Sequence, residues 1–201
     1  VAELAAVHEP SPLGVSSRKL GIWMFIVADA ATFAAVLFAY GYMRVANPDW
    51  TRPFTFWPTI ANAIVMTVVL LTSSLTIIGA VLAAQAGRKT TALRWLGATM
   101  LLGTVFAALH LREWIAMIGE GWRPFRNPLG GTPLVGATFF SVTGLHLLHV
   151  LAGVIVIAVI ALGYRRGRFE PEHLETVGLY WHFVDLVWMF VFPLVYLLNM
   201  R

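Results

Sequence analysis

Cysteine is absent from the 201 residues, which excludes disulfides, iron–sulfur clusters and thiolate metal sites within this chain. Charge is scarce as well. Only 12% of residues are charged and 59% are hydrophobic, with a mean hydropathy of +0.77. That balance belongs to an integral membrane protein. The alternating apolar–polar segments of about ten residues that mark a membrane β-barrel are missing, so the fold expected is all-α. No glycine-rich loop with a lysine opens a helix, which removes a nucleotide cradle. The first seventeen residues lack the basic, apolar and small-residue succession of a cleaved signal, and the first apolar run is too long to be one. The first helix is therefore expected to stay.

What is present is five apolar runs, roughly 20–43, 59–86, 95–118, 134–163 and 177–199. About 20 apolar residues cross a bilayer as a helix, so each run is long enough. The organisation expected is a bundle of five transmembrane helices over 18–201, preceded by a cytoplasmic arm over 1–17 that carries His8. The chain is basic, with a pI near 9.9, but its basic residues sit at helix ends and not in one patch, so nucleic acid is not an expected partner. Arg18, Lys19, Arg88, Lys89, Arg94, Arg165, Arg166 and Arg168 fall on one side, and Arg44, Arg52, Arg123, Arg126 and Arg201 on the other. That bias predicts a cytoplasmic N-terminus and an external C-terminus. Arg165, Arg166 and Arg168 also suit lipid headgroups. Trp50, Phe54, Phe56 and Trp57 are expected to anchor the membrane boundary, and Glu175 to lie in a solvated loop.

Ionisable residues inside the spans are the candidates for chemistry. In the last run His182 and Asp185 lie three residues apart, with Trp181, Asp185 and Trp188 at helical spacing. A carboxylate near the centre of a membrane helix costs about 2.5–3.5 kcal/mol, so Asp185 should face protein. Asp29 sits near the middle of the first run, and the second run has no ionisable residue at all. The third ends in His110, Arg112, Glu113 and Trp114, and the fourth carries His146 and His149 one turn apart. His110 and Glu113 share a face and are expected in a buried hydrogen-bonded cluster, since two donors leave a metal site incomplete. Two histidines deep in a span also suggest haem. A bis-histidine haem draws its ligands from facing helices at matching depth, and His182 in the inner half and His110 in the outer half are both expected at other depths. Interhelical hydrogen bonds are expected instead, with Asp29, His149 and His182 forming one cluster in the inner half. A carrier built on Asp29, Glu113 and Asp185 is the third reading, but repeated halves and broken helices are not visible.

Two blocks carry a resemblance. Tyr180-Trp181-His182-Phe183-Val184-Asp185-Leu186-Val187-Trp188 resembles the closing signature of subunit III of the haem-copper oxidases, the cytochrome c and quinol oxidase family. Gly136 to Val150, with Thr143, His146 and His149, is similar to that family's other signature. Asp29 aligns with a buried acid that is glutamate in most relatives, Glu113 and Trp114 match a further motif, and His110 stands where relatives often have glutamine. The resemblance implies the short, five-helix bacterial form. It implies a non-catalytic accessory subunit of a respiratory terminal oxidase, multi-pass in the bacterial cytoplasmic membrane and without cofactors of its own. Haem and copper are then expected in the partners, catalytic subunit I and subunit II. In the family this subunit supports continued turnover and proton uptake from the inner side, and it binds phospholipid. A related accessory subunit occurs in nitric oxide reductase, and a membrane di-haem cytochrome is the reading outside the family.

Overall fold

The computed structural model describes residues 16–201, so His8 and positions 1–15 of the expected arm lie outside the described residues. Five helices are long and apolar enough to cross a membrane, and no strand is present among the described residues. They are α1 (Ser17–Ala46), α2 (Ala61–Gln85), α3 (Lys89–Gly119), α4 (Leu134–Arg165) and α5 (Pro171–Val191). A π-helical turn, Phe56–Ile60, leads into α2, and α5 runs on through a π-helical turn, Phe192–Tyr196, and a final 3₁₀ turn, Leu197–Asn199. Pro193 accounts for the change of geometry at the end of α5, because it lacks the N–H an α-helix needs and its ring crowds the carbonyl one turn back.

The helices outrun the apolar stretches because hydropathy registers only what lipid favours. Polar first turns that project beyond it are invisible to that signal. α5 begins at Pro171, where Glu170 and His173 form a reciprocal capping box and proline occupies the first turn. α1 begins behind Ser16, whose hydroxyl accepts the Lys19 N–H. The α2–α3 and α4–α5 connections are tight for one shared reason. Gly87 and Gly167 both adopt φ +70°, a conformation open to glycine, and each closes a Schellman motif. The bonds that do so are Arg88 N to Ala83 O at 2.8 Å and Arg168 N to Gly163 O at 2.9 Å.

α2 packs on α3 and α5, α4 on α3 and α5, and α1 on α5 and α4. Half of the most apolar window of α5 is buried (50%), against 11% for α1. α5 is therefore the core element and α1 a peripheral one. The buried residues of α1 are Ile26, Phe33 and Tyr40, spaced by seven, which is a single narrow seam. At the centre Trp181 fills a slot cut by two glycines. A Cβ on Gly103 would stand 2.6 Å from the Trp181 ring, and one on Gly153 would stand 2.8 Å from it. Small residues on α3 and α4 thus admit the largest side chain of α5, the packing that drives association where lipid supplies no hydrophobic contrast.

Both ends of the bundle are tied by polar contacts. At the N-terminal end Glu175 accepts from Lys19 Nζ at 2.6 Å and from Gln85 Nε2 at 2.6 Å, joining α5 to α1 and α2. Glu175 is thus a helical residue in a cross-link and not part of a solvated loop, because α5 starts well before it. Arg18 and Ser16 reach Glu172 in the same cluster. At the C-terminal end Asn199 is the hub. Its Nδ2 donates to Tyr40 Oη at 2.8 Å and to Val195 O at 2.7 Å, and its Oδ1 accepts from Trp50 Nε1 at 2.9 Å. Two of the four expected boundary aromatics belong to this packing. Trp50 is bound to Asn199, and Phe54 is buried against Tyr196 and Phe139, while Phe56 and Trp57 remain exposed.

Candidate functional site

The α2–α5 face is built from matched spacings. Trp181 and Trp188 are seven residues apart, two helical turns, and α2 runs antiparallel to them with hydroxyls at a similar interval. Trp181 Nε1 donates to Ser73 Oγ at 2.8 Å and Trp188 Nε1 to Thr67 Oγ1 at 2.9 Å. Between these bonds Ser74 Oγ donates to Asp185 Oδ2 at 2.6 Å, and His182 Nδ1 lies 3.1 Å from the same hydroxyl. A hydroxyl has one proton and Ser74 gives it to Asp185, so His182 must donate from Nδ1. Asp185 is buried and faces protein, as its cost in lipid requires. Thr67, Ser73 and Ser74 are uncharged hydroxyl residues within an apolar run. Their role becomes visible once the tryptophans lie opposite them.

On the α1–α4 face Asp29 Oδ2 lies 3.1 Å from His149 Nε2, with both side chains mostly buried (13% and 17% exposed). The contact has ion-pair distance without the alignment of an ideal hydrogen bond. His149 Nδ1 lies 2.7 Å from Leu145 O, its own helix carbonyl. A carbonyl only accepts, so Nδ1 carries a proton, and a neutral ring would then turn a bare Nε2 toward the carboxylate. Phe33 packs edge-on against the His149 ring at 5.0 Å, and Tyr180 Oη donates to His149 O at 3.0 Å.

His182 does not join this pair. Tyr180 marks the side of α5 that faces His149, and His182 is two residues further on, about 200° around the helix. It therefore meets Ser74 of α2 instead of Asp29 of α1.

Toward the C-terminal end Glu113 Oε2 accepts from Tyr196 Oη at 2.8 Å, and Trp114 Nε1 donates to Thr143 Oγ1 at 3.2 Å. The hydrogen-bonded cluster expected here holds for Glu113 and fails for His110. His110 and His146 are fully buried, with all four ring nitrogens unpartnered. They share neighbours: Phe106 lies 5.8 and 5.7 Å from the two rings and Trp188 lies 5.9 and 5.1 Å from them. The two helices bring them to one depth, against the separation read from the sequence, and His146 makes no interhelical hydrogen bond. Both rings lie against the same Trp188 and Phe106. Among the described residues no group of three or more His, Asp or Glu side chains is arranged to hold a metal ion.

Arg165, Arg166 and Arg168 are exposed where α4 ends. Nearby, Ser17, Arg18, Ile22, Phe25, His173 and Tyr180 help line an apolar groove of about 580 Å³ between α1, α4 and α5.

These features define a class: a multi-pass helical membrane protein in which Asp29, Glu113, His149, His182 and Asp185 each reach a neighbouring helix. The family model of cytochrome c oxidase subunit III matches residues 8–200. The cytochrome bo(3) ubiquinol oxidase subunit 3 of Pseudomonas aeruginosa is 33% identical, over 98% of this chain and 92% of that one. The cytochrome c oxidase subunit 3 of Corynebacterium diphtheriae is 29% identical, over 98% and 93% of the two chains. A probable quinol oxidase subunit 3 from Staphylococcus aureus is 31% identical, over 91% and 90%. The chain belongs to the cytochrome c oxidase subunit III family of haem-copper oxidases.

Proposed function

We propose that this chain is a non-catalytic accessory subunit of a respiratory haem-copper terminal oxidase, which stabilises the catalytic subunit and supports its uptake of protons. The family match over residues 8–200 carries this reading. The side-chain inventory supports it, because Asp29, Glu113, His149, His182 and Asp185 each contact a neighbouring helix. Haem and copper then reside in partner subunits, catalytic subunit I and subunit II.

The bias of basic residues supports an orientation in the bacterial cytoplasmic membrane with the N-terminus in the cytoplasm and the C-terminus outside. The Asp29–His149 pair, which joins α1 to α4, then serves a proton-related role as well as packing. Glu113 and His146 act in packing of the outer half, and Trp181 and Trp188 fasten α5 to α2. A phospholipid headgroup is held by Arg165, Arg166 and Arg168 at the end of α4, with the groove between α1, α4 and α5 receiving an acyl chain.

The test is a mild-detergent pull-down of the tagged chain from its native membranes, with subunit identification and a reduced-minus-oxidised spectrum. The expected result is a copurifying haem-copper subunit and no haem on this chain once it is separated. A lone chain that retains its own haem overturns the reading in favour of a membrane cytochrome.

A further inference from the structure

Seven buried side-chain polar atoms lack a hydrogen-bond partner among the described residues, and five of them belong to three residues: His110, His146 and Glu113. That concentration is what requires an account. Unpaired buried polar atoms are costly, and in folded proteins they are rare and scattered. Here both imidazoles are fully buried and Glu113 is only 7% exposed, with Oε1 free while Oε2 holds Tyr196.

The neighbours cannot supply the missing bonds. Trp188 gives its one N–H to Thr67 and Trp114 gives its N–H to Thr143. The Thr143 hydroxyl donates to Phe139 O at 2.7 Å, and Phe106 has nothing to give. A neutral imidazole needs one acceptor and one donor, on opposite sides of its ring. The small molecule that offers both is water, which sits stably inside a protein when two to four polar atoms surround it. Glu113 also lines a groove of about 280 Å³ together with Asn62, Arg112 and Glu120, so the cluster adjoins a polar opening at the C-terminal end of the bundle.

We infer that His110, His146 and Glu113 form an internal water-binding site between α3 and α4, filled from the groove past Glu113. Water bridges the two imidazoles and reaches Glu113 Oε1. The site makes the outer half of this bundle hydrated at the depth of Trp188, where the aromatic packing alone would make it dry. It does not depend on the accessory-subunit reading, since it rests on this chain's own side chains.

The experiment uses the intact complex. Cryo-electron microscopy at a resolution that shows ordered water should find a peak at about 2.7–3.2 Å from a ring nitrogen of each histidine. Deuterium exchange at the imidazole C2 position, read by mass spectrometry, should detect both rings exchanging with solvent. Glu113→Leu should slow both rings and leave His149 unchanged, whereas Glu113→Gln, which keeps a polar group, should leave all three unchanged. Nitrogens without density in a complex whose two rings do not exchange overturn the site. So does a stoichiometric metal ion at this position that survives washing with a chelator. If Glu113→Leu does not assemble, the density and exchange of the wild-type complex decide the matter.

Discussion

Asp185 shows how a charge-bearing residue becomes affordable inside a membrane helix. Its carboxylate accepts a hydrogen bond from the Ser74 hydroxyl at 2.6 Å, and that hydroxyl in turn accepts from His182 Nδ1–H. Asp185→Leu leaves Ser74 and His182 without the acceptor that orders them, so the complex should lose about 1–3 kcal/mol of stability, read as a lower melting temperature in detergent. Asp185→Asn keeps an acceptor oxygen and should lose less. An Asp185→Leu complex that melts like wild type would remove the structural role. The Trp188–Thr67 bond allows a separable test. Trp188→Phe and Thr67→Val should each destabilise, and a double-mutant cycle should return a coupling of about 0.5–1.5 kcal/mol, since each variant breaks the same 2.9 Å hydrogen bond. Zero coupling would mean that the indole N–H is bonded elsewhere.

Among the elements α5 is the one the others are arranged around, and Trp181 is the reason α3 and α4 approach it so closely. Gly103→Ala and Gly153→Ala place a methyl within 2.6 and 2.8 Å of that indole, and each should cost about 1–3 kcal/mol as overpacking. Gly97→Ala on the same α3 helix meets nothing within 4 Å. It should be neutral or mildly stabilising, because alanine is the better helix former by roughly 0.5–1 kcal/mol. Melting of the three variants side by side separates helix propensity from packing. If Gly103→Ala matches Gly97→Ala, the slot around Trp181 is looser than the geometry says. α1 contrasts with α5, since its seam of Ile26, Phe33 and Tyr40 leaves most of its surface to lipid or to a partner subunit.

For the whole molecule, the two polar ties at the ends of the bundle decide whether five helices behave as one unit. Asn199→Ala removes the acceptor for Trp50, the donor to Tyr40 and the bond to Val195 together. The expected effect is a loss of about 1–3 kcal/mol with faster proteolysis between Asn47 and Thr55, because that connection is held to the C-terminus through Trp50 and through Phe54 N to Asn199 O at 3.2 Å. Unchanged cleavage in that connection would show that Phe54 packing alone holds it. Nothing in the composition pointed to Asn199. A single asparagine at the end of an apolar run reads as a boundary residue until three separate segments of chain converge on it.

Much of the architecture was written along the chain because lipid imposes a one-dimensional rule: a helix must offer enough consecutive apolar residues to cross. That rule, with the two signature blocks, was enough for five helices, an all-α bundle and a place in the oxidase subunit III family. It also required that Asp185 face protein, since a carboxylate in lipid is too costly. Which partner each polar residue meets was decided by rotation and depth, and these appear only when helices are packed. Two residues on α5, about 200° apart, send Tyr180 to His149 and His182 to Ser74. Helix depth sets His110 beside His146, with Phe106 and Trp188 shared between them. Spacing along one helix fixes which residues share a face. It carries no information about which neighbour that face meets, because the choice is made by the packing of side chains such as Trp181 between helices distant in sequence.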